Sequence, residues 1–275
     1  VDSMASKERK TTAVGEKQES AVSTNVMDMS QFQADAGMGR ETMGIADMAL
    51  PYLSILQALS PQVSKANPKY IKGSEEGDIY NTVTEELFSG DEGIFILPCA
   101  YQKAFVEWQD RDAGGGWVAS HENGDILKKT TRDSKNMDRL PNGNIIVETA
   151  YYYSLLLEQK GNQYSAKPAI VSMSRTQLKK ARKWNSLMNG IQLEGPGGQL
   201  FKPSMFSHIY RLTTTPESKN NYNWFGWNVV LFERVNNIDL YNAARKLSMD
   251  VSKGVVKASA PTEDFETLNE NHEAF

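Results

Sequence analysis

The chain has 275 residues, 40% hydrophobic and 23% charged, which provides enough apolar mass for one medium domain or two small ones. No apolar run approaches the roughly 18 residues of a membrane span, and the N-terminus has no signal-peptide pattern, so we expect a cytoplasmic protein. The single cysteine, Cys99, excludes an intramolecular disulfide and lies in an apolar run typical of a buried thiol.

The net charge of −4 hides a segregation of charge along the chain. Residues 160–257 carry fifteen basic and five acidic side chains, whereas residues 51–127 carry five basic and twelve acidic ones. Residues 258–275 carry five acids and no base. Because a cationic surface concentrates polyanions, this distribution indicates a polyanionic partner for the basic block.

The N-terminal residues 1–47 are rich in Ser, Thr, Gln, Glu and Lys and lack an apolar period, which predicts a disordered or weakly helical arm. We expect Val1–Ser3 to be a cloning scar and Met4 to be the native start. Apolar density rises from Met48 onward. The sequence therefore predicts a folded domain over 48–257 and an acidic, disordered tail over 258–275.

The first strongly apolar segment, GIFILPCAYQKAFVEW from Gly93 to Trp108, is rich in β-branched and aromatic residues and predicts a long strand bent at Pro98. A triple glycine at 114–116 predicts a turn, and WVAS after it predicts a short return strand. Two Asn-Gly turns then bracket a basic loop, LKKTTRDSKNMDRL.

The clearest strand signal is NIIVETAYYYSLLLEQ, in which alternation places Tyr151 and Tyr153 on one face and Tyr152 on the other. With one face packed on a core, at least one of these tyrosines is expected off the core side. The turn KGNQ follows, and PAIVSM is predicted to be the paired strand.

A helix is predicted next, with Ser174 as its N-cap, Gln177 completing a capping box and Gly190 ending it. One side of this helix is apolar. The other side carries Arg175, Lys179, Arg182 and Lys183.

A second hairpin is predicted from SMFSHIYRLTTT and NWFGWNVVLFERV, followed by a last helix, NIDLYNAARKLSMD. A helix placed between strands of a small barrel is the layout of the OB-fold, a five-stranded barrel that binds oligonucleotides. The predicted fold is mainly β (α+β): an OB-like antiparallel β-barrel with one inserted helix, a C-terminal helix and disordered tails. A generic α+β domain with the same element order is the alternative.

The sequence offers little for catalysis. Its three histidines, His121, His208 and His272, have no partners at metal-ligand or triad spacing, and no nucleotide-binding or hydrolase motif occurs. We therefore predict a protein that is not an enzyme, with no cofactor and no metal.

Aromatic rings beside cations are the mixture that single-stranded nucleic acids require, because bases stack on the rings and phosphates follow the charges. The candidate nucleic-acid-binding residues are Tyr152, Lys128, Lys129, Arg132, Lys179, Lys180, Arg182, Lys183, Arg211, Lys219, Tyr222 and Trp224. The alternative is that the rings belong to the core and the cations are ordinary solvated surface.

With its acidic tail, TEDFETLNENHEAF, the sequence resembles the single-stranded DNA-binding proteins of tailed bacteriophages. The basic block and the strand–helix–strand order over about 100–257 also resemble those proteins. The resemblance implies an OB-fold whose tail docks replication proteins and competes with DNA for the basic groove. The partner-binding residues it implies are Glu263, Asp264, Phe265, Glu266, Glu270, Glu273 and Phe275. The alternative is a tail that only keeps the protein soluble.

The leading hypothesis is a single-stranded DNA-binding protein, located in the host cytoplasm if encoded by a phage. It coats DNA with little sequence preference during replication or recombination and recruits replication or transcription proteins through its tail. One alternative is a ring-forming annealing recombinase. Another is a modulator of a host enzyme such as RNA polymerase that binds no DNA and uses residues 51–127 for contact. The sequence is compatible with either a monomer or a dimer.

Overall fold

The computed structural model describes residues 28–110, 113–161, 163–219 and 222–258. The chain divides into two units, the first ending at Met43 and the second beginning at Gly44. In the described part of the first unit, a short helix, α1 (Met29–Ala34), is capped by Asp28, whose carboxylate accepts a hydrogen bond from the Ser30 amide. Most of the predicted arm and the whole acidic stretch from Glu263 lie outside the described residues.

The second unit is mainly β. Its strands are β1 (Tyr52–Ile55), β2 (Ile79–Asn81), β3 (Leu87–Phe88), β4 (Ile94–Trp108), β5 (Trp117–His121), β6 (Thr131–Arg132), β7 (Asp138–Arg139), β8 (Ile145–Lys160), β9 (Gln163–Ser174), β10 (Leu193–Glu194), β11 (Leu200–Phe201), β12 (His208–Lys219) and β13 (Tyr222–Arg234). Its helices are α2 (Leu178–Gly190) and α3 (Ile238–Ser252). The predicted long strands, both hairpins and both helices are confirmed. In β4 the pairing register shifts between Pro98 and Ala100, where the bend was predicted.

Eleven of the described strands form one curled, mixed sheet, a half-barrel. Its main path runs β13-β12-β4-β8-β9-β1-β2-β3, with β5, β6 and β7 attached at the side. The pair β1 and β9 is parallel and the other pairs are antiparallel. The prediction of a purely antiparallel sheet is therefore wrong, because β1 returns beside β9 from an earlier part of the chain.

The sheet has a hydrophobic core on each face. One core contains Tyr151 and Tyr153 of β8 and is covered by α3. The other contains Tyr152 and is covered by α2, whose Trp184 is fully buried. The expectation that one of the three tyrosines would lie off the core is wrong, since helices cover both faces of the sheet.

The start of α2 differs from the predicted capping box. Ser174 makes no side-chain cap, and Arg175 adopts a left-handed backbone with φ of 50° as the first residue of a short 3-10 turn, Arg175–Gln177. The Gln177 side chain turns to β13 and accepts a hydrogen bond from the Trp227 amide at 2.9 Å. Gly190 is the last helical residue and not the residue after the helix. Gln177 thus anchors the helix to the hairpin and caps nothing.

The curl of the sheet brings the loop after β1 against β13. The Gln57 amide donates to the Phe225 carbonyl at 3.0 Å and accepts from its N–H at 2.8 Å. Nearby, a Cβ added at Gly90 would lie 2.1 Å from the Gly77 carbonyl oxygen, so only glycine allows this close approach. Of the helices in the described part of the chain, none has the length and apolar character needed to cross a membrane.

Candidate nucleic-acid interface

A cationic groove lies between the start of α2 and the tip of the β12–β13 hairpin. It has a volume of about 630 Å³. The residues that line it are Arg175, Thr176, Leu178, Lys179, Arg182, Glu217, Ser218, Lys219 and Trp224. Four of these nine side chains are cationic and one is acidic. The groove therefore suits an anionic ligand such as a phosphate backbone.

The acid of the groove, Glu217, is already engaged by neighbouring side chains. One carboxylate oxygen lies 2.6 Å from Nζ of Lys180. The other accepts a hydrogen bond from Nε1 of Trp224 at 2.9 Å. Its negative charge is therefore largely offset by Lys180, and the carboxylate fixes the orientation of the Trp224 ring.

The two aromatic residues at the hairpin tip differ in access. Trp224 lines the groove, but only 7% of its surface is exposed. Tyr222 is 55% exposed and is the strand partner of Lys219, a groove residue. Tyr222 does not line the groove but is paired with one of its lining residues, and it is the more accessible ring for a base, while Trp224 forms part of the wall.

The groove unites four of the predicted residues: Lys179, Arg182, Lys219 and Trp224. The sequence interpretation did not choose Arg175 as a binding residue, although it placed Arg175 on the basic side of the helix. Its left-handed backbone, which helical periodicity does not reveal, precedes the helix, and its Nη1 lies 2.9 Å from the Met137 sulfur.

Tyr152 is a correction to the predicted set. It is fully buried, with its ring stacked on Trp184 at a centroid distance of 4.2 Å. Its hydroxyl lies 3.0 Å from the Ala181 carbonyl and 2.9 Å from Oδ1 of Asn185. Burial raises the pKa of this phenol above its usual range. Tyr152 supports α2 from below and presents no surface to a base.

Three other predicted cations lie outside the groove lining: Lys180, which pairs with Glu217, and Arg211 and Lys183. Arg211 donates hydrogen bonds to the Glu92 carbonyl at 2.9 and 2.7 Å and to the Asp91 carbonyl at 3.2 Å, which ties β12 to the turn before β4. Lys183 is exposed on α2, one residue past Arg182. Arg211 is accordingly better explained as a residue that holds a turn.

The remaining predicted cations lie in the loop region, defined as residues 124–139. Lys128 pairs with Asp125 at 2.7 Å, and Arg132 pairs with Asp138 at 3.3 Å. Lys129 is exposed. None of these three cations lines the groove.

Paired charges also anchor the loop region to the sheet. Arg139 contacts Asp110 and Asp133 and donates a hydrogen bond to the Gly143 carbonyl at 2.8 Å. Through these contacts the Arg139 pKa is raised, by its hydrogen bond to Asp110 first of all. The cations of this region that pair with acids hold the local structure together.

A carboxylate of β4, Glu107, is also bonded to neighbouring side chains. It is 8% exposed and binds His121 Nε2 at 2.9 Å and the Asn144 amide at 2.6 Å. Burial raises its pKa, but the hydrogen bonds from Asn144 and His121 outweigh burial and hold the pKa below its usual range. No group of three or more potential metal ligands occurs among the described residues.

Comparison with protein families gives one match, to the family described as Pam3 phage gp34-like protein, over residues 17–257. The chain belongs to that family. This membership makes it a phage protein. The matched residues include the whole half-barrel and the groove. No curated protein and no solved structure matches the chain.

Proposed function

We propose that this member of the gp34-like family is a single-stranded DNA-binding protein that coats DNA during phage replication or recombination. The observation that carries the proposal is the groove, in which Arg175, Lys179, Arg182 and Lys219 surround one acid already paired with a lysine. Tyr222 beside it supplies an exposed ring. Cations and a stackable ring together match the needs of a single strand better than those of a small neutral ligand.

The expected binding mode follows from the chemistry of the groove. Lysine and arginine attract phosphates without reading base edges, and a ring stacks on any base, so sequence preference should be small. Each phosphate contact in a single strand contributes roughly −0.7 to the slope of log K against log salt. Four groove cations therefore predict a slope of about −3.

The architecture supports an OB-like assignment as part of this proposal. A curled sheet with a helix between two hairpins is compatible with the OB-like layout predicted from the sequence. The proposal also includes recruitment of replication or transcription proteins by residues 258–275. Their five acids and lack of bases fit a cationic partner surface.

The test is a titration of the full-length protein with oligo-dT at two salt concentrations, followed by tryptophan fluorescence. We expect saturable binding that weakens with salt at the slope given above. Tyr222→Ala should weaken binding by roughly tenfold, because base stacking on an aromatic ring contributes ~1–3 kcal/mol. Tyr222→Phe keeps the ring and should bind like the unmodified protein.

The outcomes separate the candidate functions. No binding to oligo-dT by fluorescence or by filter retention would sink the proposal and favour a modulator of a host enzyme. Binding with rapid pairing of complementary strands, together with large ring-shaped assemblies on gel filtration, would favour an annealing recombinase. Binding in which Tyr222→Ala and Tyr222→Phe lose affinity equally would remove base stacking from the mechanism.

A further inference from the structure

The outer edge of the sheet, strand β13, is blocked over one part of its length and open over another. Among the described residues, β13 pairs with β12 alone. Near the hairpin tip, Gln57 takes both outward backbone groups of Phe225, and Gln177 takes the outward N–H of Trp227. Two glutamine side chains thus replace the missing neighbouring strand over Phe225–Trp227.

Farther along β13, no strand or side chain in the described part of the chain bonds to the outward backbone groups. Because outward backbone groups recur at every second residue of an antiparallel strand, those of Val229 and Leu231 point the same way as those of Phe225 and Trp227. No hydrogen-bond partner among the described residues meets them. Unpaired N–H and C=O groups in a row form a template for another strand.

The side chains around this open edge are apolar. Val230, Leu231 and Phe232 are 52%, 45% and 51% exposed. Three consecutive exposed apolar residues on an edge strand lack the lysines and prolines that commonly block such edges. Phe232, opposite the register shift at Ile209 and Tyr210, already contacts Phe95 at a ring-centroid distance of 4.6 Å.

We propose that residues 228–232 of β13 pair antiparallel with the same segment of a second copy of this chain. A two-fold axis at Val230 sets Val229 opposite the partner's Leu231 and Leu231 opposite the partner's Val229. Each such pair exchanges two backbone hydrogen bonds, so four bonds satisfy all four open N–H groups and C=O groups of the two edges. Val230 then lies against its own copy, and the two half-barrels share one continuous sheet.

The length and charge of the open stretch favour a second copy of this chain as its partner. Its length is set by Gln177 on one side and the register shift on the other, and a register centred on Val230 uses the outward N–H and C=O groups of Val229 and Leu231 in both strands. The stretch Asn228–Phe232 carries no charge, so two copies meet without repulsion. Self-complementary contacts of this kind are typical of two-fold dimers.

The pairing leaves the DNA groove free. Trp224 of the groove lies six residues before Val230 along β13, which corresponds to roughly 20 Å at the rise of an extended strand. Dimerisation through this edge is thus independent of the groove cations. The dimer would present two grooves to one DNA molecule, which raises the effective concentration of the second groove once the first is bound.

The experiment is sedimentation velocity of the full-length protein over a concentration series. We expect a species of twice the 30.7 kDa chain mass. The double variant Val230→Lys with Phe232→Lys should be monomeric, because lysines block edge pairing. Val229→Pro removes one outward donor without adding charge and should weaken the dimer at least tenfold. Ile238→Lys, at an exposed apolar position off the edge, is the control and should stay dimeric.

Hydrogen exchange on the unmodified protein keeps the proposal testable even if a variant does not fold. The amides of Val229 and Leu231 should gain protection as concentration rises through the dimer transition. A monomer at roughly 0.1 mM, or a dimer that both variants leave intact, overturns the proposal. The proposal is also overturned if the double lysine variant loses oligo-dT binding while its sedimentation mass stays that of the unmodified protein, since the edge would then be a DNA surface.

Discussion

The groove and the loop region are both rich in lysine and arginine, yet they differ in what surrounds those charges. In the groove, four cations share a surface with one acid, and Lys180 already pairs with that acid. In the loop region, Lys128, Arg132 and Arg139 each contact a carboxylate. In the groove lining the cations outnumber the acid four to one, whereas each of these three loop cations meets a carboxylate that reduces its field.

This difference shows why a count of cations along a sequence is a poor guide to a binding surface. The loop cations look equivalent to the helix cations when only the chain is read. Their carboxylate partners include Asp138 in the same loop and Asp110, 29 residues away from Arg139. A surface binds a polyanion when its cations outnumber the acids within a few ångströms, which only the folded chain reveals.

The largest expected effect is on DNA affinity and compares the two regions directly. Lys179→Glu with Arg182→Glu reverses two charges in the groove and should lower oligo-dT affinity on the order of a hundredfold near 0.1 M salt. Lys128→Glu with Lys129→Glu makes the same charge change in the loop region and should lower affinity by less than about threefold. Fluorescence titration of both variants under identical conditions measures the contrast.

Circular dichroism melting serves as the control for these charge reversals, because all four side chains are exposed and the folds should survive. An equal loss of affinity in both double variants would mean that net charge, and not the groove, attracts DNA. The distinction between the two regions would then fail.

A second, smaller effect concerns stability. Arg139→Ala leaves Asp110 and Asp133 without their shared guanidinium and should lower the free energy of unfolding by about 1–2 kcal/mol, measured by urea denaturation. Oligo-dT affinity should stay within about twofold of the unmodified protein, since Arg139 is not among the residues that line the groove. Arg132→Ala, at a more exposed ion pair, is the matched control and should cost less than about 0.5 kcal/mol. A loss of DNA affinity without a loss of stability would give the loop region a binding role.

Local patterns in the sequence predicted the long strands and the two longer helices, but not what covers them. The run from Gly93 to Trp108 predicted a bent strand because its residue types and Pro98 act locally. Alternation assigned Tyr152 to the opposite face from Tyr151 and Tyr153, which is confirmed. It could not show that this second face is also a core, because the covering helix packs there through tertiary contacts.

The candidate site likewise contains some residues that local sequence patterns predicted and others that they did not. Lys179 and Arg182 share a helix face, which periodicity predicts, and Lys219 joins them through the second hairpin, which the two strand segments predict. The capping-box spacing of Ser174 and Gln177 was misleading, since Gln177 binds Trp227 at a distance of 50 residues along the chain. No local pattern encodes such a contact, nor the left-handed Arg175 that completes the groove.

The smallest effect concerns a carboxylate of β4 outside both regions, and it depends on pH. The Glu107 pKa is lowered in the folded protein by hydrogen bonds from Asn144 and His121 that outweigh its burial. A carboxylate with a depressed folded pKa contributes stability above its unfolded pKa, about 4.3, and loses that contribution as pH falls through the folded value. Glu107→Gln should therefore lower the free energy of unfolding by about 1 kcal/mol at neutral pH and by much less near pH 3.

Urea denaturation of both proteins at the two pH values measures this difference, with the exposed Glu122→Gln as the control that should change little at either pH. Because Glu107 is joined to β5 and to the turn before β8, the acid-sensitive contact belongs to the side of the sheet that carries the paired charges. A penalty for Glu107→Gln that is the same at both pH values would show that shape, and not the carboxylate charge, holds this contact.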